Sequence, residues 1–572
     1  MAKLVYLCYR NPEDLRFTED DLERLAQRLT PDHISASVRT VTCYQGIVFS
    51  IITPNEAIQI HEASVGLGNI EVCSVDWWKP GAPVPEGAYA LFRANEEKIE
   101  LVTDIVASRS IWYVHTEKLF IASTSQRAII ACLQSYEPNP KVYPWLLSSG
   151  CLGPELSWDR RICKMRGDSR VVLDRRSWEL SEHTTPVTFE VELITDQEHE
   201  RRLENALQTT FERLDLDWQH YVLALSGGYD SRYSMAMLRK HADLRYITWG
   251  TKTALQESNS DACIAHQLAQ KYRLPHEYFC LDLSNEPIDR LFDRNLMAVE
   301  GRIDHLHAAM DGFIRYKQLH EMGTIGLIRS DVGFNEDPVT TRFDVIATNG
   351  FYILKDYSNI SPVDINEMEP QELPDYLQQH HDESLVTWRD RLYHEFRIPS
   401  ILAALAEGRL SYMEQVNPLL AHRIIQRVRM LPDHLRTDKV VFTRIVNHLI
   451  PDVPIASKRS TLAIPDLLAH EEVKTLFYDV LESQQVKTML PAGILNCVLG
   501  NLTQEGWANR NLLDKKKKSI LVRFLPAPFR RTLLSSVRQV KKPTLNPERL
   551  ALRCFIIARM QQILADDARV LN

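Results

Sequence analysis

Residues 221–237 constrain this chain more than any other stretch. Tyr221-Val222-Leu223-Ala224-Leu225 is an unbroken apolar run, the pattern of a parallel strand buried on both faces. Ser226-Gly227-Gly228-Tyr229-Asp230-Ser231 follows, and the residues after Ser231 have the spacing of an amphipathic helix start. Paired glycines let the backbone turn sharply and bring its amides close to an anion, and the positive end of the next helix points at the same spot. Ser226 and Ser231 add hydroxyl donors, and Asp230 suits a magnesium ion bridging phosphates. A bare Gly-Gly predicts only a tight turn; the whole string, at a strand end feeding a helix, predicts a phosphate cradle. No Gly-Lys-Ser/Thr follows, so the loop is not a Walker A motif.

At 572 residues the chain exceeds one hydrophobic core, which predicts two or three domains. A formal net charge of -8 gives no general bias toward nucleic acid. The ten cysteines include no Cys-x-x-Cys pair, so neither a zinc site nor a disulfide framework is expected; reduced thiols and a cytoplasmic location are. The apolar run at the start is too short for a signal peptide and reads as a first strand. No run reaches the roughly 18 apolar residues that a membrane span needs.

Residues 1–185 read as β-rich, with strands at 3–9, 46–52, 87–93, 99–104, 111–115 and 119–122 separated by turn-forming clusters such as Lys79-Pro80-Gly81. A polar connector leads to a helix at 198–214. Strands at 221–225, 244–250, 276–281 and 324–328 then alternate with helices at 261–272, 287–300 and 302–312, which predicts an α/β fold with a doubly wound parallel sheet and its ligand at the carboxyl ends of the strands. Residues 371–396 have helical spacing; the adjacent His380 and His381 would point to different faces, which favours solvation over metal binding. From 481 to 572 the chain reads as a helical extension. Its segment 515–542 carries ten Lys or Arg and no acid, either a solvated basic surface or a docking place for an acidic peptide, a partner or an anionic membrane; Pro526 and Pro528 break any single long helix there.

The Ser-Gly-Gly-Tyr-Asp-Ser string resembles the pyrophosphate loop of ATP pyrophosphatases, and within them the asparagine synthetase branch. Gly87-Ala88-Tyr89-Ala90-Leu91-Phe92, followed by Leu101-Val102-Thr103-Asp104, Ile111-Trp112-Tyr113 and the run 119–124, is similar to the class II glutamine amidotransferase domain that precedes those synthetases. The resemblance implies an Ntn-hydrolase-like β-rich sandwich over 1–185, then a doubly wound ATP-pyrophosphatase domain over 195–480. The family's glutaminase uses a cysteine exposed by removal of the initiator Met, with the free α-amine as base. Here Ala2 stands in that place and Cys8 falls inside the first strand, which predicts a domain that does not hydrolyse glutamine.

The same resemblance assigns the rest of the site. Asp331, in Arg329-Ser330-Asp331, matches the family's magnesium-binding Asp and would pair with Asp230. Ile328 stands where small-molecule synthetases carry a Glu or Tyr that helps amidation; Glu300, Asp304, His305 and Glu336 are chemically capable substitutes nearby. Glu414 and Pro418 keep the spacing of the family's Glu-x-x-x-Pro segment, while Val416 and Ala421 replace its Arg and Asp, so the acceptor pocket is expected to be rebuilt. Lys439 and Lys458 match the family's two lysines that contact the ATP phosphates and the acyl-adenylate. Lys458, Lys439 and Glu414 are thus the implied catalytic set, with Ser226, Gly227, Gly228, Asp230 and Ser231 binding ATP and Asp230 and Asp331 holding magnesium.

An amidotransferase domain without its nucleophile, beside an altered acceptor pocket, is similar to lasso peptide cyclases and to β-lactam synthetases. The Arg-Ser-Asp loop favours the former. The implied reaction is adenylation of a carboxylate, an Asp or Glu side chain of a precursor or core peptide, and closure of a macrolactam on the peptide's own amine. A leader peptidase or leader-binding protein would be the partner. A small-molecule amide synthetase and a catalytically silent nucleotide-binding relative are the alternatives.

Overall fold

A computed structural model describes residues 3–71, 76–335, 337–451, 453–503 and 542–572. Glu336 and all but Lys542 of the basic segment 515–542 lie outside the described residues. Two antiparallel six-stranded sheets form the N-terminal region. One runs, in spatial order, Cys163–Lys164 (β10), Trp112–His115 (β8), Leu119–Ser123 (β9), Lys3–Tyr9 (β1), Ile47–Ile52 (β3) and Val38–Cys43 (β2). The other runs Leu180–Thr184 (β12), Ser169–Asp174 (β11), Lys98–Thr103 (β7), Gly87–Ala94 (β6), Ser64–Ile70 (β5) and Gln59–His61 (β4).

Burial of both faces, with alternate side chains pointing opposite ways, explains why β1 is apolar from Leu4 to Cys8. Leu4, Tyr6 and Cys8 join Phe49, Leu67, Phe92 and Leu101 in a core shared by the two sheets, where the Tyr6 and Phe49 rings stack at 5.6 Å. Val5 and Leu7 face the other way, onto a core that contains Leu25, Ile129 and Leu146 from flanking helices.

The second sheet system is parallel, five strands in the order His276–Cys280 (β15), Arg245–Gly250 (β14), Tyr221–Ala224 (β13), Gly326–Ile328 (β16) and Glu414–Val416 (β17). All of its pairings are parallel, with Val222 of β13 opposite Arg245 on one side and Leu327 on the other. The chain winds outward from β13 to β15, then returns to the opposite flank at β16, so β13 and β16 bound the point where the winding reverses. Helices Tyr229–Leu238 and Asp261–Tyr272 follow β13 and β14. The protein is therefore a mixed α/β structure with a helical C-terminal region, and no helix among the described residues is long and apolar enough to cross a membrane.

Two predicted helices differ in the structure. Over 302–312 there is only a short 3-10 turn, Leu306–Ala309, and the helix Ile314–Glu321 starts later. Gly301, Gly312 and Phe313 are left-handed, with φ of 58°, 68° and 61°, which interrupts any helical path. In 371–396 regular helix begins only at Leu385–Leu392, then widens into π-type turns over Tyr393–Leu402 around Pro399.

The C-terminal helix Pro547–Asp567 is sunk among other helices, with Phe555, Ile556 and Leu564 in the same core as Trp145 and Phe292. Buried ion pairs fasten it: Asp567 holds Arg127 at 2.7 Å and Arg28 at 2.7 Å, and Arg553 holds Asp304 at 2.7 Å.

Candidate functional site

A cleft of about 490 Å³ opens at the carboxyl ends of β13, β14 and β16. Ser226, Asp230, Ser231, Asp331 and Lys458 line it together with Thr248, Trp249, Asp261, Arg329 and Ser460.

The loop after β13 is tightly held. Ser231 Oγ accepts from the Ser226 amide at 2.9 Å and lies 2.8 Å from Ser226 Oγ. The Gly227 amide donates to Asp261 Oδ1 at 2.9 Å, and its carbonyl accepts from the Ala456 amide at 3.2 Å. A Cβ at position 227 would meet the Cβ atoms of Ala456 at 2.7 Å and Ile264 at 2.9 Å, so only glycine fits between these two segments. Gly228 precedes the first turn of Tyr229–Leu238 without a side-chain cap, leaving first-turn amides available to an anion. Buried Arg232 donates to the carbonyls of Val453 at 2.7 Å and Pro454 at 2.8 Å, tying the loop to the segment that carries Lys458.

Lys439 Nζ lies 3.2 and 3.1 Å from the two oxygens of Asp230. Asp438 and Lys439 are both left-handed, with φ of 55° and 50°, an uncommon conformation for side chains of this kind that recurs at functional positions. It separates Lys439 from the helix Val440–Leu449 that follows. Asp331 is held by Arg329 at 3.1 Å and by the Asn417 amide group at 2.9 Å. Burial alone would raise its carboxyl, but Arg329 and Arg409 outweigh it and hold the group below the usual carboxylate range. Asp261 goes the other way, pushed up by burial against the opposing pull of the Gly227 amide and Arg329. Lys458, half exposed, forms an ion pair with Glu257, and its carbonyl accepts from the Asp261 amide at 2.9 Å.

Glu414 sits apart from this cleft. It is fully buried on β17 and ion-paired with Arg109 of the N-terminal region. Glu300 and Asp304 are likewise turned to internal contacts: Glu300 accepts from Ser125 and pairs with Lys3 at 3.4 Å, and Asp304 pairs with Arg553. His381 is exposed beside Asp382. Among the described residues no three or more His, Cys, Asp or Glu side chains are grouped to hold a metal.

Thr248, Trp249 and Asp261 complete the cleft although no motif marked them, and Arg329 joins it from the Arg329-Ser330-Asp331 loop. Asp261 looks like an ordinary first-turn acid behind the cap Ser260, and only the fold brings it under Gly227. A second cavity, about 230 Å³ between the sandwich and the parallel sheet, includes Glu71, Glu86 and Arg423. These charges are matched internally, Arg423 with Glu71 at 2.8 Å.

No protein-family model matches this chain, and no curated protein matches it. Among solved structures the chain is similar to a glutamine phosphoribosylpyrophosphate (PRPP) amidotransferase from B. subtilis, complexed with ADP and GMP, at 8% identity, 59% coverage of this chain, 83% coverage of that chain and a TM-score of 0.21.

Proposed function

We propose that this chain is an ATP-dependent, AMP-forming amide ligase. It adenylates a carboxylate, an Asp or Glu side chain of a precursor peptide, and closes a macrolactam with that peptide's N-terminal amine. The observation that carries this reading is the convergence of a strand-to-helix anion cradle, two carboxylates and two lysines on one cleft region: Ser226 to Ser231, Asp230, Asp331, Lys439 and Lys458.

A carboxylate is a poor electrophile toward an amine, and adenylation removes that obstacle. A carboxylate oxygen attacks the α-phosphorus and pyrophosphate leaves. The amine nitrogen then attacks the acyl carbon, loses a proton, and AMP leaves. The loop amides and the hydroxyls of Ser226 and Ser231 bind the phosphates, while Lys439 and Lys458 stabilise the charge that builds up on them. Asp230 and Asp331 fit magnesium, since both offer hard oxygen donors to one cleft and this ion is commonly held by one or two carboxylates plus substrate phosphates. When bound there, the ion would neutralise the leaving pyrophosphate. Lys439 and Arg329, which compensate the two carboxylates in this structure, would then be able to turn toward anions. Cys8 is buried, with its thiol pushed up to about 11 by burial, which supports an amine drawn from the substrate rather than from glutamine.

The test is pyrophosphate release from magnesium-ATP by the wild type and Asp230→Ala, offered a leader-free core peptide or small β-amino acids. Peptide-dependent release, lost in the variant, with a product lighter by one water, is expected. Release with the small acids alone would move the assignment to a small-molecule synthetase. ATP binding without release would make the chain a silent relative.

A further inference from the structure

Asn417 stands just before Pro418, at the head of the short turn Pro418–Leu420. An asparagine in that place ordinarily caps its own turn, yet this side chain makes no capping bond. It is 4% exposed and gives both halves of its amide to one residue. Its Oδ1 accepts from the Asp331 backbone amide at 3.1 Å, and its Nδ2 donates to Asp331 Oδ2 at 2.9 Å. The pair of bonds fixes the backbone and the carboxylate of Asp331 together. Arg329 donates to the other oxygen, Oδ1, at 3.1 Å. Each carboxylate oxygen has two lone pairs, so one hydrogen bond apiece leaves it able to meet a cation as well.

Asn417 is in turn held from the N-terminal region. Its backbone amide donates to Asn69 Oδ1 at 3.0 Å, across 348 positions of sequence. Asn69 lies on β5, opposite Ala88 of β6. A Cβ at Gly87 would strike the Asn69 carbonyl oxygen, so β6 closes on that residue only through a glycine. β17, which Asn417 directly follows, is pinned to the same region a second time by the Arg109–Glu414 ion pair. The Asp331 loop is tied to β17 as well, since the Arg329 amide donates to the Val416 carbonyl at 2.8 Å. Direct hydrogen bonds therefore lead from the antiparallel sheets through Asn69 and Asn417 to the carboxylate that faces the cleft.

We propose that Asn417 and Asn69 are positioning residues for Asp331, and that the N-terminal sheets thereby set the metal-binding side of the cleft. This rests on the reading of Asp331 as a magnesium ligand. It gives those sheets a task in the ligase reaction that does not involve glutamine. Groups that orient a metal-binding carboxylate in this way change metal affinity or activity about 10- to 100-fold when they are removed.

Calorimetric titration of ATP into the full chain, with magnesium and again with EDTA, tests it. The wild type is expected to bind ATP more tightly with magnesium, and Asp331→Ala to lose that gain. Asn417→Ala and Asn69→Ala are expected to weaken binding with magnesium about tenfold or more, while binding in EDTA stays within about twofold of the wild type. Asn69→Asp, which keeps the acceptor oxygen and guards against misfolding, should restore most of the loss. The relay alone is overturned if Asp331→Ala removes the gain while the two other Ala variants keep it, or if Asn69→Asp loses as much as Asn69→Ala. A wild type without the gain, or a gain that survives Asp331→Ala, would overturn the metal reading of Asp331 and this proposal with it. Because the readout is binding, absence of pyrophosphate release would sink the ligase reading without touching this one.

Discussion

Lys439 Nζ lies 3.1 Å from Asp230 Oδ2, a pairing across 209 positions of sequence. It joins the helix start after the Ser226–Ser231 loop to a left-handed turn that precedes another helix. Lys439→Met is expected to reduce ATP-dependent pyrophosphate release by about 100- to 1000-fold, the usual cost of losing one group that stabilises transition-state charge. Single-turnover assays would check this, and a loss under threefold would leave the pair a purely structural role.

Gly227 and Gly228 should behave differently although they are neighbours. Gly227→Ala places a Cβ 2.7 Å from that of Ala456, whereas a Cβ at 228 meets only Ser226 Oγ at 3.5 Å. Overpacking of this kind costs about 1–3 kcal/mol. We expect denaturant titration to show that loss for Gly227→Ala, with weakened ATP binding, and a smaller loss of stability for Gly228→Ala.

Asp567 meets Arg127, which is 1% exposed, through two hydrogen bonds of 2.7 and 2.9 Å. Asp567→Ala leaves that guanidinium buried without its carboxylate, and a stability loss of about 3–5 kcal/mol is expected by chemical denaturation. A loss below 1 kcal/mol would show that the C-terminal helix contributes little to the shared core.

Glu407 supplies a pH signature. Burial pushes its carboxyl up from 4.5 to about 7; Glu300 adds to the rise, and Lys3, Arg302 and Arg109 oppose it. The folded chain keeps a proton there that the unfolded chain has released, so this group's contribution is most favourable below 4.5. It falls as pH rises to about 7, by at most about 1.4 kcal/mol per pH unit, and is level above. Glu407→Gln should flatten that part of the stability profile; an unchanged slope would refute the assignment.

Cys8 is buried in β1, whereas Cys280 and Cys497 are exposed. With its thiol pushed up to about 11, Cys8 should resist iodoacetamide at pH 8 while the exposed thiols of Cys280 and Cys497 are alkylated, as peptide mapping would reveal. Glutamine should yield no ammonia. Prompt labelling of Cys8 in the folded protein would refute its burial, and glutamine hydrolysis would assign a glutaminase role to the N-terminal sheets.

The sequence by itself determined the local elements whose signals are continuous along the chain. The buried run at 221–225, the glycine pair and the helix start after it form the strand, loop and helix expected, and Asp261–Tyr272 is a helix as its spacing predicts. β1 was equally legible, because the six apolar or aromatic residues from Leu4 to Tyr9 leave little choice. β5 was missed, since Gly66 and Gly68 interrupt the pattern that would announce a strand, as were the short edge strands β4 and β12.

Tertiary structure alone decided where charges go. Asp261 and Arg329 reach the cleft only because β13, β14 and β16 lie side by side, and Glu414 is drawn away from it by Arg109, 305 positions distant. The Arg127–Asp567 contact spans 440 positions, and neither residue carries a local mark of burial. Hydrophobic period and turn chemistry act over a few residues and are therefore written in the chain, whereas the partner of a buried charge is settled by packing between distant segments.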